Sequence, residues 1–289
     1  MLKGTHTAIV TPFTAGGEVD YSLFRDLVKK QIDAGVDGIV PVGTTGESPT
    51  LDFDEHNKVI ETAIDAAKGK IKVTAGTGAN ATSEAIRLTK HAKEAGADAT
   101  LQVTPYYNKP NQEGLIRHFS KVADIGLPVV LYNVPGRTGR EIAVDTVVKL
   151  SEHPNIIAVK DAGGDVDRVS ETIASCGITV LSGDDSMTLP MMAVGAAGVI
   201  SVASNIAPDA VSRMTHLALD GKWDDARKLH LELFPLYRGM FMDTNPIPVK
   251  AGMAMMGLIE EVYRLPLCSM GDELKKKLRK ILKQTGILA

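Results

Sequence analysis

The sequence contains only two cysteines, Cys176 and Cys268, and a single tryptophan among its 289 residues. The two cysteines are isolated, which argues against a disulfide framework or a cysteine metal site and suits a reducing cytoplasm. The seven histidines are scattered, and none stands at a spacing typical of paired metal ligands. We therefore expect a cytoplasmic protein without a metal.

Strong charge and long apolar runs are also missing. The net charge is -3, and no basic stretch is interleaved with aromatic residues, so we expect no nucleic-acid partner. No apolar run is long enough to cross a bilayer, and the N-terminus has no pattern of a signal peptide. With 44% hydrophobic and 23% charged residues, the composition is that of an ordinary globular protein.

Short runs rich in β-branched residues alternate with longer amphipathic segments. Eight runs are predicted as strands: Thr7–Val10, Gly38–Val42, Lys72–Ala75, Thr100–Thr104, Val129–Asn133, Ile156–Lys160, Thr179–Ser182 and Gly198–Ser201. Seven helices are predicted between them: Tyr21–Ala34, Asp52–Ala67, Ser83–Ala95, Asn111–Ile125, Ala143–Ser151, Val166–Ala174 and Met187–Val194. This alternation indicates an α/β protein with a (β/α)8 barrel fold.

The barrel is predicted over residues 1–223, and the strand pattern stops there. Residues 224–289 are predicted as a C-terminal helical extension, with helices at Asp224–Met242, Pro248–Met256 and Asp272–Lys283. A doubly wound open sheet is the alternative fold. It should carry a nucleotide-binding glycine signature after its first strand, and the segment Thr11–Gly17 does not match one.

A lysine ends the sixth strand, where the sequence is Ile156-Ile157-Ala158-Val159-Lys160-Asp161. Side chains alternate along a strand, so Ile156, Ala158 and Lys160 are expected on one apolar face. An amine at the end of such a face is poorly solvated, which favours its neutral form, and a neutral amine can attack a ketone to form a Schiff base. The alternative is a lysine that keeps its charged head in water.

Barrel active sites lie at the carboxyl ends of the strands, where this chain places hydroxyl groups and one arginine. The turn Gly43–Ser48 offers backbone N–H groups for a carboxylate, or is an ordinary turn. Arg137 can bind a second carboxylate, or face solvent. Tyr132 is expected to share the inner face of its strand with Val130. Asp184 and Asp185 follow strand 7 and would repel phosphate, so we do not expect a phosphosugar substrate.

Together these motifs resemble the dihydrodipicolinate synthase and N-acetylneuraminate lyase superfamily of pyruvate aldolases. The segments that carry the resemblance are Gly43–Ser48, Tyr132–Gly139, Lys160 and Asn245–Lys250, so it spans nearly the whole chain. The segment Val103–Gly114 and the arginine at 137 are similar to the dihydrodipicolinate synthase branch, since sialic acid lyases typically lack that arginine.

The resemblance implies a lyase that condenses pyruvate with L-aspartate 4-semialdehyde, the first committed step of lysine and diaminopimelate biosynthesis. It implies that Lys160 forms a Schiff base with pyruvate and that no cofactor is needed. It assigns a proton relay to Tyr132, Thr44 and Tyr107. Substrate contacts are assigned to four further residues: Thr45, Arg137, Gly183 and Ile200.

The same resemblance implies a homo-oligomer, most often a dimer of dimers, in which Tyr107 reaches into the active site of a neighbouring subunit. Many members are inhibited by lysine, and the matching positions here are Ser48, His56, Asn80, Glu84 and Tyr106. Pro49 and Phe53 depart from the lysine-sensitive pattern, where a small residue and often a histidine are expected. Regulation by lysine is thus left open by the sequence.

Two alternatives remain at this point. Another pyruvate aldolase, such as a sialic acid or sugar-acid lyase, would keep Lys160, Tyr132 and the Gly43–Ser48 turn but would not need Arg137. A barrel without chemistry, serving as a binding module, would have no use for the lysine and tyrosine together. The fold alone does not separate these functions.

Overall fold

The computed structural model describes residues 2–288, and these form a closed barrel of eight parallel strands. Each strand pairs with the next in the chain, and the eighth pairs with the first, so the predicted (β/α)8 barrel is confirmed. The strands are β1 Gly4–Ala8, β2 Gly38–Val40, β3 Lys72–Gly76, β4 Ala99–Val103, β5 Val129–Asn133, β6 Ile156–Asp161, β7 Thr179–Ser182 and β8 Gly198–Ser201.

The α-helices of the described residues follow the strands and form the outer layer. They are α1 Tyr21–Asp33, α2 Phe53–Ala67, α3 Thr82–Ala95, α4 Gln112–Ala123, α5 Pro135–Thr138, α6 Val144–Ser151, α7 Val166–Cys176, α8 Thr188–Ala193, α9 Pro208–Leu219, α10 Trp223–Gly239, α11 Ile247–Met255 and α12 Asp272–Gln284. The sequence analysis missed the short α5 and also α9, the helix after β8. Both helices begin with a proline, which lacks an N–H and is favoured at the first helical position.

Local signals explain where several helices begin and end. The side chain of Asp52 accepts a hydrogen bond from the N–H of Glu55, whose carboxylate accepts one from the N–H of Asp52, so the two residues form a capping box at the start of α2. Asn111 caps α4 in the simpler way, by accepting from the N–H of Gly114. At the other end of a helix, Gly96 adopts a positive φ of 94° and ends α3.

The β6 strand carries an irregularity that corrects one prediction. Val129 pairs with Ile156 but Val130 pairs with Ala158, so Ile157 is an extra residue in β6. A bulge of this kind changes the face to which the side chains before it point. Ile156 accordingly packs outside the barrel with the helices, whereas Ala158 packs inside with Val130 and Tyr132. The expectation that Ile156 shares a face with Lys160 was wrong, and that for Ala158 was right.

The C-terminal helices pack onto the barrel instead of forming a separate core. Leu236 and Tyr237 of α10 and Leu278 and Leu282 of α12 belong to the same buried cluster as Phe24 of α1. Full burial of a leucine side chain contributes roughly 1.5–3 kcal/mol, so α12 is held mainly by its apolar face. The segment between α10 and α12 is thereby fixed over the mouth of the barrel. In the described part of the chain, no helix combines the length and apolar character needed to cross a membrane.

Candidate active site

A cavity of about 210 Å³ opens at the carboxyl ends of the strands. It lies above the apolar interior of the barrel, which contains Val40, Leu101 and Leu181. The polar residues that line it are Thr44, Thr45, Tyr132, Arg137, Lys160, Asp184 and Asn245, and all of these except Asn245 were singled out in the sequence. The fold therefore brings side chains from distant parts of the chain into one pocket.

Lys160 and Tyr132 are direct neighbours on β6 and β5. Both are almost fully buried, and the Nζ atom of Lys160 lies 4.2 Å from the centre of the Tyr132 ring. The residues next to them in sequence, Asn133 and Asp161, are also paired, with Asn133 Nδ2 donating to Asp161 Oδ2 over 3.1 Å. This hydrogen bond links β5 to β6 next to the tyrosine and the lysine, on the outer face of the sheet.

Arg168 of α7 extends this hydrogen bond into a network. Its Nε donates to Asp161 Oδ2 over 2.8 Å, and another guanidinium nitrogen donates to the carbonyl of Ile142. The N–H of Ile142 in turn donates to Asn133 Oδ1. A buried charge is stable only when it is paired and hydrogen-bonded, as the Asp161 carboxylate is here. The network fixes the ends of β5 and β6, and so the distance between Tyr132 and Lys160.

The turn Gly43–Ser48 borders the cavity and has both paired and free backbone N–H groups. The N–H groups of Gly46, Glu47 and Ser48 donate to carbonyls within the turn. Within residues 2–288, the N–H groups of Thr44 and Thr45 donate to no acceptor, and both residues line the cavity. Two adjacent free N–H groups can bind a carboxylate. The sequence analysis gave carboxylate binding and an ordinary turn as alternatives, and it did not say which N–H groups would be free.

Arg137 lies at the rim, on the short helix α5, and lines the cavity. One of its guanidinium nitrogens donates to the backbone carbonyl of Asn245 over 3.0 Å. The side-chain amide of Asn245 donates to Thr45 Oγ1, also over 3.0 Å. Asn245 therefore links Arg137 to the Gly43–Ser48 turn. We did not assign it to the site from the sequence, although it begins the segment Asn245–Lys250 that supports the resemblance.

Gly183 and Ile200 have different positions relative to the cavity. Gly183 lines the cavity, and a Cβ atom there would lie 3.0 Å from Lys160 Cε and 2.7 Å from Ala162 Cβ. This position therefore needs a residue without a side chain. Ile200 is buried in the interior cluster with Tyr132. It supports the floor of the site, and a direct contact with substrate stays a prediction.

Tyr107 is not brought to this cavity. Its side chain is 91% exposed and its φ is 72°, a conformation that non-glycine residues adopt rarely. Tyr132 and Thr44 do line the pocket together, so two members of the predicted relay meet within one chain. The third member points into solvent, as a residue that serves another subunit would.

A second cavity of about 210 Å³ adjoins the first, and Thr44, Tyr132 and Arg137 line both. Ser48 and Tyr106, two of the candidate lysine-binding residues, line this second cavity. Asn80 donates to the carbonyl of Tyr106, and burial together with the Glu84 carboxylate raises the pKa of the Tyr106 hydroxyl. The structure thus groups these residues on one side of the mouth.

His56, the fifth candidate, is buried and its Nε2 lies 3.0 Å from the carbonyl oxygen of Gly76. Burial lowers the pKa of His56 to about 4, so its ring is neutral near pH 7. Gly76 lines the second cavity, which places the histidine behind the wall of that cavity. In this chain His56 supports the wall.

The two aspartates after β7 do not act alike, contrary to our expectation. Asp185 is buried, and its carboxylate accepts hydrogen bonds from the Ser201 hydroxyl and from the N–H groups of Val202 and Ala203. Burial raises its pKa to about 6. Only Asp184 lines the cavity, so the argument against a phosphosugar rests on one carboxylate. In residues 2–288, no three His, Cys, Asp or Glu side chains cluster as metal ligands would.

Comparison with known proteins identifies the family. Residues 1–285 match the model of the dihydrodipicolinate synthetase family. A protein of Geobacter sulfurreducens named 4-hydroxy-tetrahydrodipicolinate synthase is 52% identical, and the alignment covers 100% of both chains.

Solved structures agree with this match. The chloride-inhibited dihydrodipicolinate synthase of Acinetobacter baumannii, complexed with pyruvate, superposes with a TM-score of 0.98 at 46% identity over 100% of both chains. The enzyme of Cyanidioschyzon merolae with lysine bound gives a TM-score of 0.96 at 38% identity over 99% of each chain. The chain therefore belongs to the dihydrodipicolinate synthetase family.

Proposed function

We propose that this protein is a lyase that condenses pyruvate with L-aspartate 4-semialdehyde to give 4-hydroxy-tetrahydrodipicolinate, on the route to diaminopimelate and lysine. One observation carries the proposal. The buried amine of Lys160 stands beside Tyr132 in a cavity that has two free backbone N–H groups on one side and Arg137 at its rim. Condensation of a ketoacid with an amino-acid aldehyde requires an amine for the ketone, a proton donor, and one binding site for the carboxylate of each substrate.

Pyruvate enters first, with its carboxylate at the N–H groups of Thr44 and Thr45. This places the ketone carbon toward the Nζ atom of Lys160. Attack by the neutral amine gives a carbinolamine, which loses water to form an iminium bond between Nζ and C2 of pyruvate. Tyr132 supplies and removes the protons of these steps, and Thr44 is the next group in its relay.

The iminium draws electrons from the methyl carbon, which loses a proton and becomes an enamine. The enamine carbon attacks the aldehyde of the second substrate, whose carboxylate is held by Arg137. The amino group of that substrate then attacks C2 and displaces the Lys160 nitrogen, which closes the ring and frees the lysine. The iminium accepts the electrons of the broken C–H bond, and the enamine gives them to the new C–C bond, so we propose that the reaction uses no metal or organic cofactor.

We propose that the active unit contains at least two copies of the chain, and the resemblance favours a dimer of dimers. Support comes from Tyr107, whose ring is 91% exposed on a loop with an unusual backbone conformation. In an oligomer this ring would enter the site of a neighbouring copy and extend the relay of Tyr132 and Thr44. The free thiols of Cys176 and Cys268 suit the cytoplasm, which we propose as the compartment.

Lysine is a candidate regulator, and its proposed binding residues are Ser48, His56, Asn80, Glu84 and Tyr106. Glu84 offers a carboxylate for an ammonium group, and Asn80 offers an amide. Pro49 lines the same cavity as Ser48 and Tyr106, and Phe53 is half exposed under the guanidinium of Arg87. Pro49 narrows the choice of side chains in that cavity, so we expect lysine to inhibit more weakly than in members with a small residue there.

The test of the proposed function is the consumption of pyruvate with aspartate semialdehyde as the only aldehyde, coupled to the next reductase of the pathway. We expect saturable turnover that is lost in Lys160→Ala. The matched control is Lys149→Ala, which removes an exposed lysine that pairs with Glu152 on the surface. Turnover with a sugar-acid aldehyde, and none with aspartate semialdehyde, would contradict the proposal.

A further inference from the structure

A second buried lysine lies close to the active site and takes no part in the chemistry described above. Lys250 of α11 is fully buried, and its Nζ lies 2.5 Å from Oε1 of Glu47, which is also fully buried. The ring of Phe13 covers the amine, with its centre 4.2 Å from Nζ. Burial lowers the pKa of Lys250, while the carboxylate of Glu47 opposes that effect.

Glu47 belongs to the carboxylate-binding turn itself. Its φ of 55° and ψ of 35° are in the left-handed region, where a residue with a Cβ atom is strained. Val42, just before the turn, has a φ of 49°. Strained conformations of this kind are unfavourable and persist only where the surroundings enforce them. The side chain of Glu47 therefore needs a partner that holds it in place.

The C-terminal segment supplies that partner and touches the turn at a second point. Lys250 holds the carboxylate of Glu47, and Asn245 holds the hydroxyl of Thr45. The backbone N–H of Arg264 adds a contact to the other oxygen of Glu47, over 3.3 Å. The turn is thus fixed from outside by residues at least 200 positions away in the sequence, while Thr44 and Thr45, whose N–H groups are free, line the cavity.

A buried ion pair adds little to the free energy of unfolding. The cost of removing two charges from water offsets much of their attraction, and an apolar pair of similar size is often as stable. An ion pair does, however, fix one geometry, because a lone buried charge is very unfavourable. Glu47 lies only three residues after Thr44, so the geometry that the ion pair fixes is the orientation of the turn.

We propose that Lys250 and Glu47 are positioning residues that hold the Thr44–Thr45 N–H groups toward the substrate carboxylate. This inference deepens the proposed function and rests on it for the identity of the substrate, pyruvate. Neither residue touches pyruvate or the reacting atoms. Their loss should weaken the binding of pyruvate and leave the binding of the aldehyde, which depends on Arg137, nearly unchanged.

The main test is Glu47→Gln, which keeps the shape of the side chain and removes its charge. A misplacement of a substrate group by about 1 Å can cost about 100-fold in rate, so we expect the KM for pyruvate to rise by roughly tenfold or more. The KM for aspartate semialdehyde should stay within about twofold. Pyruvate saturation of borohydride trapping at Lys160 should shift by the same factor as the KM for pyruvate.

A second variant, Lys250→Met with Glu47→Gln, removes both charges and avoids leaving one of them buried alone. It should show the same selective loss of pyruvate binding, because the ion pair is gone in both variants. The control is Lys276→Met, which breaks the exposed pair with Glu273 on α12. The control should leave both KM values unchanged.

A merely structural role would give another result. The melting temperature of the variants would fall while both KM values of the folded protein stayed at the wild-type level, and that result would overturn the inference. An equal rise in both KM values would overturn it as well. If the wild-type protein traps pyruvate but does not use aspartate semialdehyde, the proposed function fails, while the trapping experiment still tests the role of Glu47.

Discussion

The amine of Lys160 lies 4.2 Å from the centre of the Tyr132 ring, and the two residues are paired across neighbouring strands. The lysine is therefore held beside the phenol by the strongest element of the fold, the barrel sheet. Thr44 and Thr45 of the Gly43–Ser48 turn and Arg137 of α5 line the cavity around this pair. In the proposed reaction the strands carry the chemistry, and the segments after them carry substrate recognition.

The phenol hydroxyl of Tyr132 should be essential for rate but not for folding. Tyr132→Phe keeps the ring beside Lys160 and removes the group that moves protons. General acid–base catalysis contributes about 10²–10⁴-fold, so we expect kcat to fall by about that much. Measurement of kcat and of the melting temperature checks this, and a fall of less than tenfold would contradict the relay.

Tyr237→Phe is the matched control for that change. The Tyr237 hydroxyl is buried and has no hydrogen-bond partner within residues 2–288, and burial raises its pKa. An unsatisfied buried hydroxyl costs about 1–3 kcal/mol, so its removal should leave the free energy of unfolding unchanged or raise it. The activity of this variant should equal that of the wild type.

Gly183 should tolerate no side chain. In Gly183→Ala the new Cβ would lie 3.0 Å from Lys160 Cε and closer still to Ala162, so the lysine must move. We expect trapping of pyruvate to fall at least tenfold, because Schiff-base formation depends on the position of Nζ. Gly271→Ala, where a Cβ atom would meet nothing within 4 Å, is the control and should trap pyruvate normally.

Arg137 should act on the aldehyde and not on pyruvate. Hydrogen bonds to charged groups contribute about 1.5–3 kcal/mol, so Arg137→Met should lower kcat/KM for aspartate semialdehyde by roughly 10–100-fold. Trapping of pyruvate should be unchanged. Arg140→Met, which removes a nearby arginine bonded to the carbonyl of Lys109, is the control. Equal losses for both substrates in Arg137→Met would argue against the assignment.

The stability of the fold should decrease in acid. Burial lowers the pKa of His6, His56 and His118 to about 4, so the unfolded chain binds protons more readily than the folded chain below pH 6.5. Each histidine therefore removes up to about 3 kcal/mol of stability as the pH falls from 6.5 to 4. Asp185 acts in the opposite direction, because burial raises its pKa to about 6 and its protonation favours the folded state.

Denaturant unfolding at a series of pH values measures this effect. We expect a net loss of stability between pH 6.5 and 4, because three histidines outweigh one aspartate. His6→Gln should lower the dependence on pH without abolishing it, since His56 and His118 remain. Stability that rises steadily toward pH 4 would contradict the expected balance.

The sequence predicted the barrel and most of the site because both depend on local patterns. Alternating apolar runs specify strands, and the carboxyl ends of parallel strands meet at one rim, so Lys160, Tyr132 and the Gly43–Ser48 turn could be placed together. The bulge at Ile157 could not be predicted, because it depends on the register between β5 and β6 and leaves no mark in the sequence of β6 alone.

The contacts made by the C-terminal segment could not be predicted from the sequence either. Asn245 meets Thr45, and Lys250 meets Glu47, across about 200 residues, and such pairs depend on how the C-terminal segment packs over the mouth. One local signal was present, since Lys250 is a single charge within the apolar stretch Ile247–Met253. The same kind of signal pointed to Lys160. An isolated lysine in an apolar element therefore indicates either chemistry or a buried partner.

The central claim is that Lys160 carries the covalent intermediate, and the most direct test is reduction with borohydride in the presence of pyruvate, followed by mass spectrometry of the digested protein. We predict one pyruvate-derived adduct, on the peptide that contains Lys160, and none in the absence of pyruvate. No adduct, or an adduct on Lys250 or a surface lysine with Lys160 unmodified, would contradict the account.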